Sequence, residues 1–351
     1  MNRRSICSGL SLVPGGRTLH VAVDEGAGFR TLTRETAGLT FADFERLFLR
    51  LVDIGSIYLT VDSYAFLVFG QPIINPTQVT GVFPFPAEHL ADRLPPITPQ
   101  VDAICRSVAW YYSHLHRTKV RDWDGAVKTF HYRAANTISF RSYAQYQNVP
   151  RERRGQMRPP EAGTKVLQFD WTAAEWVLIL QHVGYNPPAD AYEAFTAGGV
   201  ERDVAKVVVL ARIYQSTMDS LYKGRDVGQV DRIVGILRER YPRALAWAEE
   251  MRGTPSVNFE GFEIDLGAEE YKRPNRWAQT ALQLCKWELI YRLVQAKLAH
   301  LAAGDMHDSL VFHLPPTTTS EAARQLVTEI RKPCFNRYDL RPKIGLTDTW
   351  G

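Results

Sequence analysis

Four cysteines in 351 residues, Cys7, Cys105, Cys285 and Cys334, show no paired spacing that would suggest a disulfide framework or a zinc site. Their scarcity fits a reducing compartment. Long apolar runs are missing too, since no stretch approaches the ~20 consecutive apolar residues of a spanning helix. The opening MNRRSICSGLSLVPGG carries two arginines, then a weakly apolar stretch cut short by Pro14 and two glycines, and makes a poor secretory signal. A soluble, cytoplasmic protein with no membrane partner is therefore expected. An excess of one charge sign is also lacking, 42 Lys/Arg against 38 Asp/Glu giving a net +4. Acidic groupings are thin in the first third: Asp24 and Glu25 are adjacent in a turn-like DEGAG and have no acidic partners at a telling distance.

What is present is a 45% apolar composition, enough to bury a full core in two or three domains or one multilobed one. The basic charge is concentrated. Between Arg117 and Arg158 there are ten Lys/Arg against three Asp/Glu, a local +7 that leaves the remainder at about −3. Such a segment is either a footprint for a polyanion or a solvated basic loop. Residues 1–95 give short β-like pieces, among them Thr18–Val23 and Ser56–Val61, around an amphipathic stretch at Phe41–Val52, and no function is legible there. The proline-rich Leu94–Pro99 marks a boundary. Beyond it, Val101–Leu115 reads as a helix with Ile104, Val108, Tyr111 and Tyr112 on one side. The block Phe130–Arg158 interleaves aromatic and β-branched residues with arginines, a pattern suited to a sugar-phosphate backbone or to a polar hairpin.

The chemistry concentrates in Lys165–Trp176, KVLQFDWTAAEW, where an apolar strand-like run ends at Asp170 and turns helical. A carboxylate at a strand end is either a rigidly held metal ligand or the cap of the next helix. Far downstream, GDMHDSLVFHLP at 304–315 interrupts two apolar runs with His307 and Asp308 in what reads as a tight hairpin. Two such carboxylates on neighbouring strands suit a pair of metal ions roughly 3.5–4 Å apart. A helix from Glu201 to about Leu221 repeats Arg202, Lys206, Leu210 and Tyr214 every four residues, a stripe able to meet a triphosphate and a base, or an ordinary solvated face. Residues 225–262 read as helix-rich, and a long helix is expected from about Trp277 to Leu301.

Taken together, these segments resemble the polymerase portion of family A DNA polymerases, the class of bacterial DNA polymerase I and its phage relatives. FDWTAAE at 169–175 resembles motif A, the R-x-x-x-K-x-x-x-L-x-x-x-Y run at 202–214 resembles motif B, and HD at 307–308 resembles motif C. QNVP at 147–150, Asn275 with Gln279, and Ile344–Gly345 through Trp350 are similar to further segments of the family. The match covers roughly residues 131–351.

The resemblance implies an α+β right-hand polymerase fold: a palm with an antiparallel sheet, helical fingers and a thumb. The expected division is an N-terminal region of unassigned fold at 1–95, thumb-like helices at 96–130, palm at 131–185, fingers at 186–262 and palm again at 263–351. It implies a DNA-directed DNA polymerase lacking a proofreading exonuclease. Asp170 and Asp308, with the Trp171 carbonyl, would bind two Mg²⁺ ions, with Mn²⁺ as a substitute. Arg202 and Lys206 would hold the phosphates, and Lys206 would protonate pyrophosphate. Leu210 and Tyr214 would line the nucleotide, and Glu175 would be the gate against a ribose. Arg141, Gln147, Asn148, Asn275, Gln279 and His307 would line the primer-template track. A monomer working with dNTPs, primer-template DNA and replication accessory proteins, of a short phage or plasmid type, is expected. Two departures keep a primase or single-subunit RNA polymerase open as the alternative: Leu210 stands where the DNA enzymes carry an aromatic residue, and Ser309 where they carry Glu. A catalytically inactive, polymerase-like DNA-binding protein is the third reading.

Overall fold

The structure, a computed structural model, describes residues 11–13, 18–24, 29–35, 99–115, 118–129, 132–134, 142–144, 149–306 and 309–350. The expected Phe41–Val52 and Ser56–Val61 elements lie outside the described residues. Strands β1 (Ser11–Val13), β2 (Thr18–Asp24) and β3 (Phe29–Glu35) form an antiparallel sheet. Helix α1 (Pro99–Leu115) starts on a proline, whose missing N–H is no loss at a first helical turn. Its Val101, Ile104, Val108, Tyr111 and Leu115 recur at three- and four-residue steps and are all buried. Next come the hairpin β4 (Lys119–Arg121) and β5 (Val127–Thr129), then β6 (Tyr132–Ala134) paired with β7 (Ser142–Ala144), and the short α2 (Arg151–Arg154).

Strand β8 (Lys165–Trp171) leads into α3 (Ala174–His182), α4 (Glu193–Ala197), α5 (Arg202–Ile213), α6 (Met218–Tyr222), α7 (Val227–Arg240) and α8 (Pro242–Gly253). The hairpin β9 (Ser256–Phe259) and β10 (Phe262–Asp265) follows. After it come α9 (Arg273–Gln295), β11 (Ala302–Met306), β12 (Ser309–Leu314), α10 (Ser320–Arg331) and β13 (Pro342–Thr347). The central sheet is wholly antiparallel in the order β11-β12-β8-β13. Helix α9 packs against α1, α3, α8 and α10, and α1 also meets β11, so α1 shares the core beside the sheet. Near the end of the chain, Trp350 is buried, its backbone N–H donating to the Met157 carbonyl and its indole Nε1 to His313 Nε2 at 3.0 Å.

Three helical expectations need correction, each for a backbone reason. The helix begun at Arg202 stops at Ile213, because Gln215 adopts a left-handed conformation (φ 66°) and the Ser216 and Gln215 amides bond back to the Ala211 and Arg212 carbonyls. The long helix ends at Gln295 in the same way, with Lys297 at φ 57° and Leu298 bonding back to Leu293. Both stops have the six-to-one, five-to-two closure that glycine usually provides. The third correction is the 225–262 stretch, whose last part is the start of the β9–β10 hairpin, turned by Glu260 and Gly261 with φ of 50° and 90°.

Two half-buried histidines make stability depend on pH. Burial lowers His182 and His313 from 6.5 to about 4, and His313 must keep an open lone pair to accept the Trp350 indole N–H. Between those values the unfolded chain binds protons that the folded chain refuses. The stabilisation is therefore complete above about pH 6.5 and lost as pH falls toward 4, on the order of 1–3 kcal/mol per ring. Denaturant unfolding at stepped pH is expected to show this decline, and His313→Gln to make it shallower. An identical slope for wild type and variant would contradict the assignment.

Candidate active site

The site grows from the end of β8. Val166, Leu167, Phe169 and Trp171 are buried and Asp170 is exposed, so the strand is anchored on both sides of the carboxylate. Phe169 packs on Trp171 and Phe312, with ring centroids 5.4 and 6.4 Å away. Antiparallel pairing sets Asp170 opposite Ser309 on β12 and Lys343 on β13. Directly opposed residues share one face of a sheet, so Met306, Ser309, Asp170 and Lys343 form one rung with side chains on the same side. The next rung, Asp305, Leu310, Phe169 and Ile344, faces the other way. Strand β8 runs one residue past Asp170 to Trp171, whose partner on β13 is Pro342. Proline has no N–H, so β13 offers the Trp171 carbonyl no donor at this rung.

Ala173, left-handed at φ 52°, then turns the chain sharply into α3. This puts Glu175 in the first helical turn, where a carboxylate is favoured by the helix dipole. Trp176 to Leu180 are buried, and the Trp176 indole donates to the Ala191 carbonyl, so the helix is fixed from its first turn.

Helix α5 buries Ala205, Val208, Val209 and Ile213. The opposite stripe is graded: Arg202 and Lys206 are exposed, while Leu210 and Tyr214 are half-buried. Arg202 is already engaged. Its Nε and a terminal nitrogen reach the two Asp190 oxygens at 3.0 and 3.3 Å, and its guanidinium lies 5.5 Å from the Tyr192 ring centre. The Arg202 hydrogen bond holds the Asp190 carboxyl below its usual range. Tyr214 caps the end of α5, and its phenol donates to Glu175 Oε2 at 2.5 Å. A short bond to a carboxylate is among the stronger kinds. It links the α3 and α5 segments across 39 residues of chain.

On the first turns of α9, Asn275 and Gln279 are half-buried one helical turn apart, and the buried Asn275 Oδ1 accepts no hydrogen bond among the described residues. Ser309 donates its hydroxyl to the Met306 carbonyl at 3.0 Å. Arg141, Gln147, Asn148, His307 and Asp308 lie outside the described residues. Asp190, Lys343 and the Lys286–Asp305 pair were not singled out from the sequence. No local spacing connects Asp190 to Arg202, and Lys343 joins the site only through sheet register. Among the described residues no group of three His, Cys, Asp or Glu side chains is arranged to hold a metal by itself.

With this geometry in view, no protein-family model and no curated protein matches the chain. Among solved structures it is similar to the POL domain of Pol1 from M. smegmatis, in complex with DNA primer-template and dNTP. The TM-score is 0.55 at 13% identity, over 71% of this chain and 51% of that one, so the chain spans about half the length of its neighbour. The chain has a polymerase-like fold. At this identity the likeness speaks for architecture alone.

Removing the phenol donor tests the link between α3 and α5. Tyr214→Phe is expected to lower unfolding free energy by roughly 1.5–3 kcal/mol, the range for a hydrogen bond to a charged group. A loss under about 0.5 kcal/mol in denaturant titration would mean that water replaces the phenol without penalty.

Proposed function

We propose that this chain is a template-directed DNA polymerase that adds dNTPs to a primer 3′ end by two-metal phosphoryl transfer, without a proofreading exonuclease. The observation that carries the reading is the β8–β12 register: Asp170 lies opposite Ser309, and Asp308 is bonded to Ser309 in the chain. Support comes from the Tyr214–Glu175 bond, which joins the two segments resembling motifs A and B. A further support is the structural neighbour, itself bound to primer-template and dNTP. In this reading residues 131–185 and 263–351 make the palm, 186–262 the fingers and 96–130 the thumb-like part of a monomer.

The donor set fits a hard divalent cation, because it is all oxygen: the exposed Asp170 carboxylate, Asp308, and a Trp171 carbonyl that Pro342 cannot engage. Mg²⁺ bound there supplies polarisation of the attacking hydroxyl and neutralisation of the leaving pyrophosphate. The chain's own residues do the rest. Arg202 and Lys206 clamp the triphosphate, and Lys206 gives a proton to the leaving group. Arg202 must first leave Asp190, and an exposed pair of this kind is worth only about 0–1 kcal/mol. Glu175, steadied by Tyr214, stands against a 2′-hydroxyl, with Leu210 beside it. Asn275, Gln279, Arg141, Gln147, Asn148 and His307 line the primer-template track. An RNA polymerase or primase remains the second reading, favoured by Leu210 and by Ser309, whose hydroxyl is tied back to its own hairpin.

Asp170→Ala and Asp308→Ala are each expected to abolish Mg²⁺-dependent primer extension while primer-template affinity, dominated by Lys/Arg contacts to phosphates, survives. Extension by Asp308→Ala at near the wild-type rate would sink the two-metal assignment. The sugar gate makes a separate expectation. Glu175→Ala should admit NTPs readily, and Leu210→Phe should sharpen dNTP preference by up to about tenfold, since a ring presses the sugar where an aliphatic chain yields. Equal use of NTPs and dNTPs by wild type, unchanged in Glu175→Ala, would put the RNA polymerase reading first.

A further inference from the structure

Lys286 of α9 and Asp305 of β11 form an ion pair at 2.5 Å, with side chains 1% and 0% exposed. Every residue of α9 from Thr280 to Ile290 is buried, as is every residue of β11, so both charges stand where the packing calls for apolar side chains. Replacing such a pair by well-packed apolar residues is commonly neutral or stabilising, whereas removing one partner strands a buried charge. A buried pair of this kind is weak ground for a gain in stability, and its place in the sheet offers another role. Strand β11 is an edge strand that, among the described residues, pairs in the sheet with β12, its Ala302 carbonyl also accepting from the Thr118 hydroxyl at 3.4 Å, and its ladder has an irregularity between Ala302 and Gly304, just before Asp305. A one-residue slip of this strand would turn Asp305 to the opposite face, away from Lys286.

The rung of Asp305 adjoins the rung of Asp170, and Asp305 precedes the 307–308 connection by two residues. Helix α9 also carries Asn275 and Gln279, eleven and seven residues before Lys286, spacings that return to the same helical face. We infer that Lys286 and Asp305 are a positioning pair, a register pin that fixes the β11–β12 hairpin against α9 and so keeps Met306 and Ser309 in the rung of Asp170. The consequence for catalysis rests on the polymerase reading, while the consequence for hairpin register does not.

The test is the full chain with Lys286→Met and Asp305→Leu together, which avoids a stranded charge. The expected result is an unfolding temperature at or above wild type, with amide exchange accelerated by at least about tenfold across 302–306 and 309–314 and unchanged elsewhere. Primer extension should then lose about tenfold or more in kcat, with KM for dNTP and primer-template affinity unchanged and more Mg²⁺ needed for half-maximal rate. A second double variant, Lys286→Gln with Asp305→Asn, keeps a hydrogen bond without charge and should restore protection and kcat to within about threefold of wild type. Wild-type exchange and kcat in the folded Met/Leu variant would overturn the pin. So would unfolding of both double variants, which would make the pair a plain requirement for folding. A loosened hairpin in a chain whose wild type extends no primer would leave the pin standing and overturn the polymerase reading instead.

Discussion

The structure depends on one strand pairing: β8 against β12, in the register that opposes Asp170 to Ser309. Because side chains alternate faces, this register sends Phe169, Leu310 and Ile344 to one side and Asp170, Ser309 and Lys343 to the other. A slip by one residue would exchange the two sets. The buried aromatic contacts of Phe169 with Trp171 and Phe312 make that exchange costly, so the apolar half of the strand holds the polar half in position.

Around that rung the helices fix what surrounds the carboxylate. The left-handed Ala173 turns the chain so that Glu175 enters α3 within five residues of Asp170. Tyr214, at the end of α5, returns to meet Glu175 and so ties α5 to the first turn of α3. Arg202 is paired with Asp190 at an exposed position, where such a pair is worth only about 0–1 kcal/mol. The pair of buried charges between α9 and β11 gives the opposite edge of the sheet its own anchor.

Much of this arrangement was legible in the sequence because local pattern and tertiary demand agree there. The alternation in β8, the three-and-four spacing of α1 and the stripe on α5 each follow from burying one face. Illegible features were of two kinds. The stops of α5 and α9 use Gln215 and Lys297 in left-handed conformations, where glycine would have announced the end. Contacts such as Tyr214 to Glu175, Arg202 to Asp190 and Lys286 to Asp305 span 39, 12 and 19 residues and answer to no periodicity. The Leu210 and Ser309 departures were visible as residues, and their weight depends on chemistry that sequence alone does not supply.

Template-directed synthesis is the central claim, and it is met most directly by offering a primer-template with a single defined templating base to the wild-type chain in Mg²⁺, each dNTP and each NTP supplied separately. The account predicts extension by one nucleotide with the complementary dNTP, far slower addition with the three mismatched dNTPs, and slower addition still with the matching NTP. Addition independent of the templating base, or no addition with any nucleotide by a chain that binds the duplex, would contradict it.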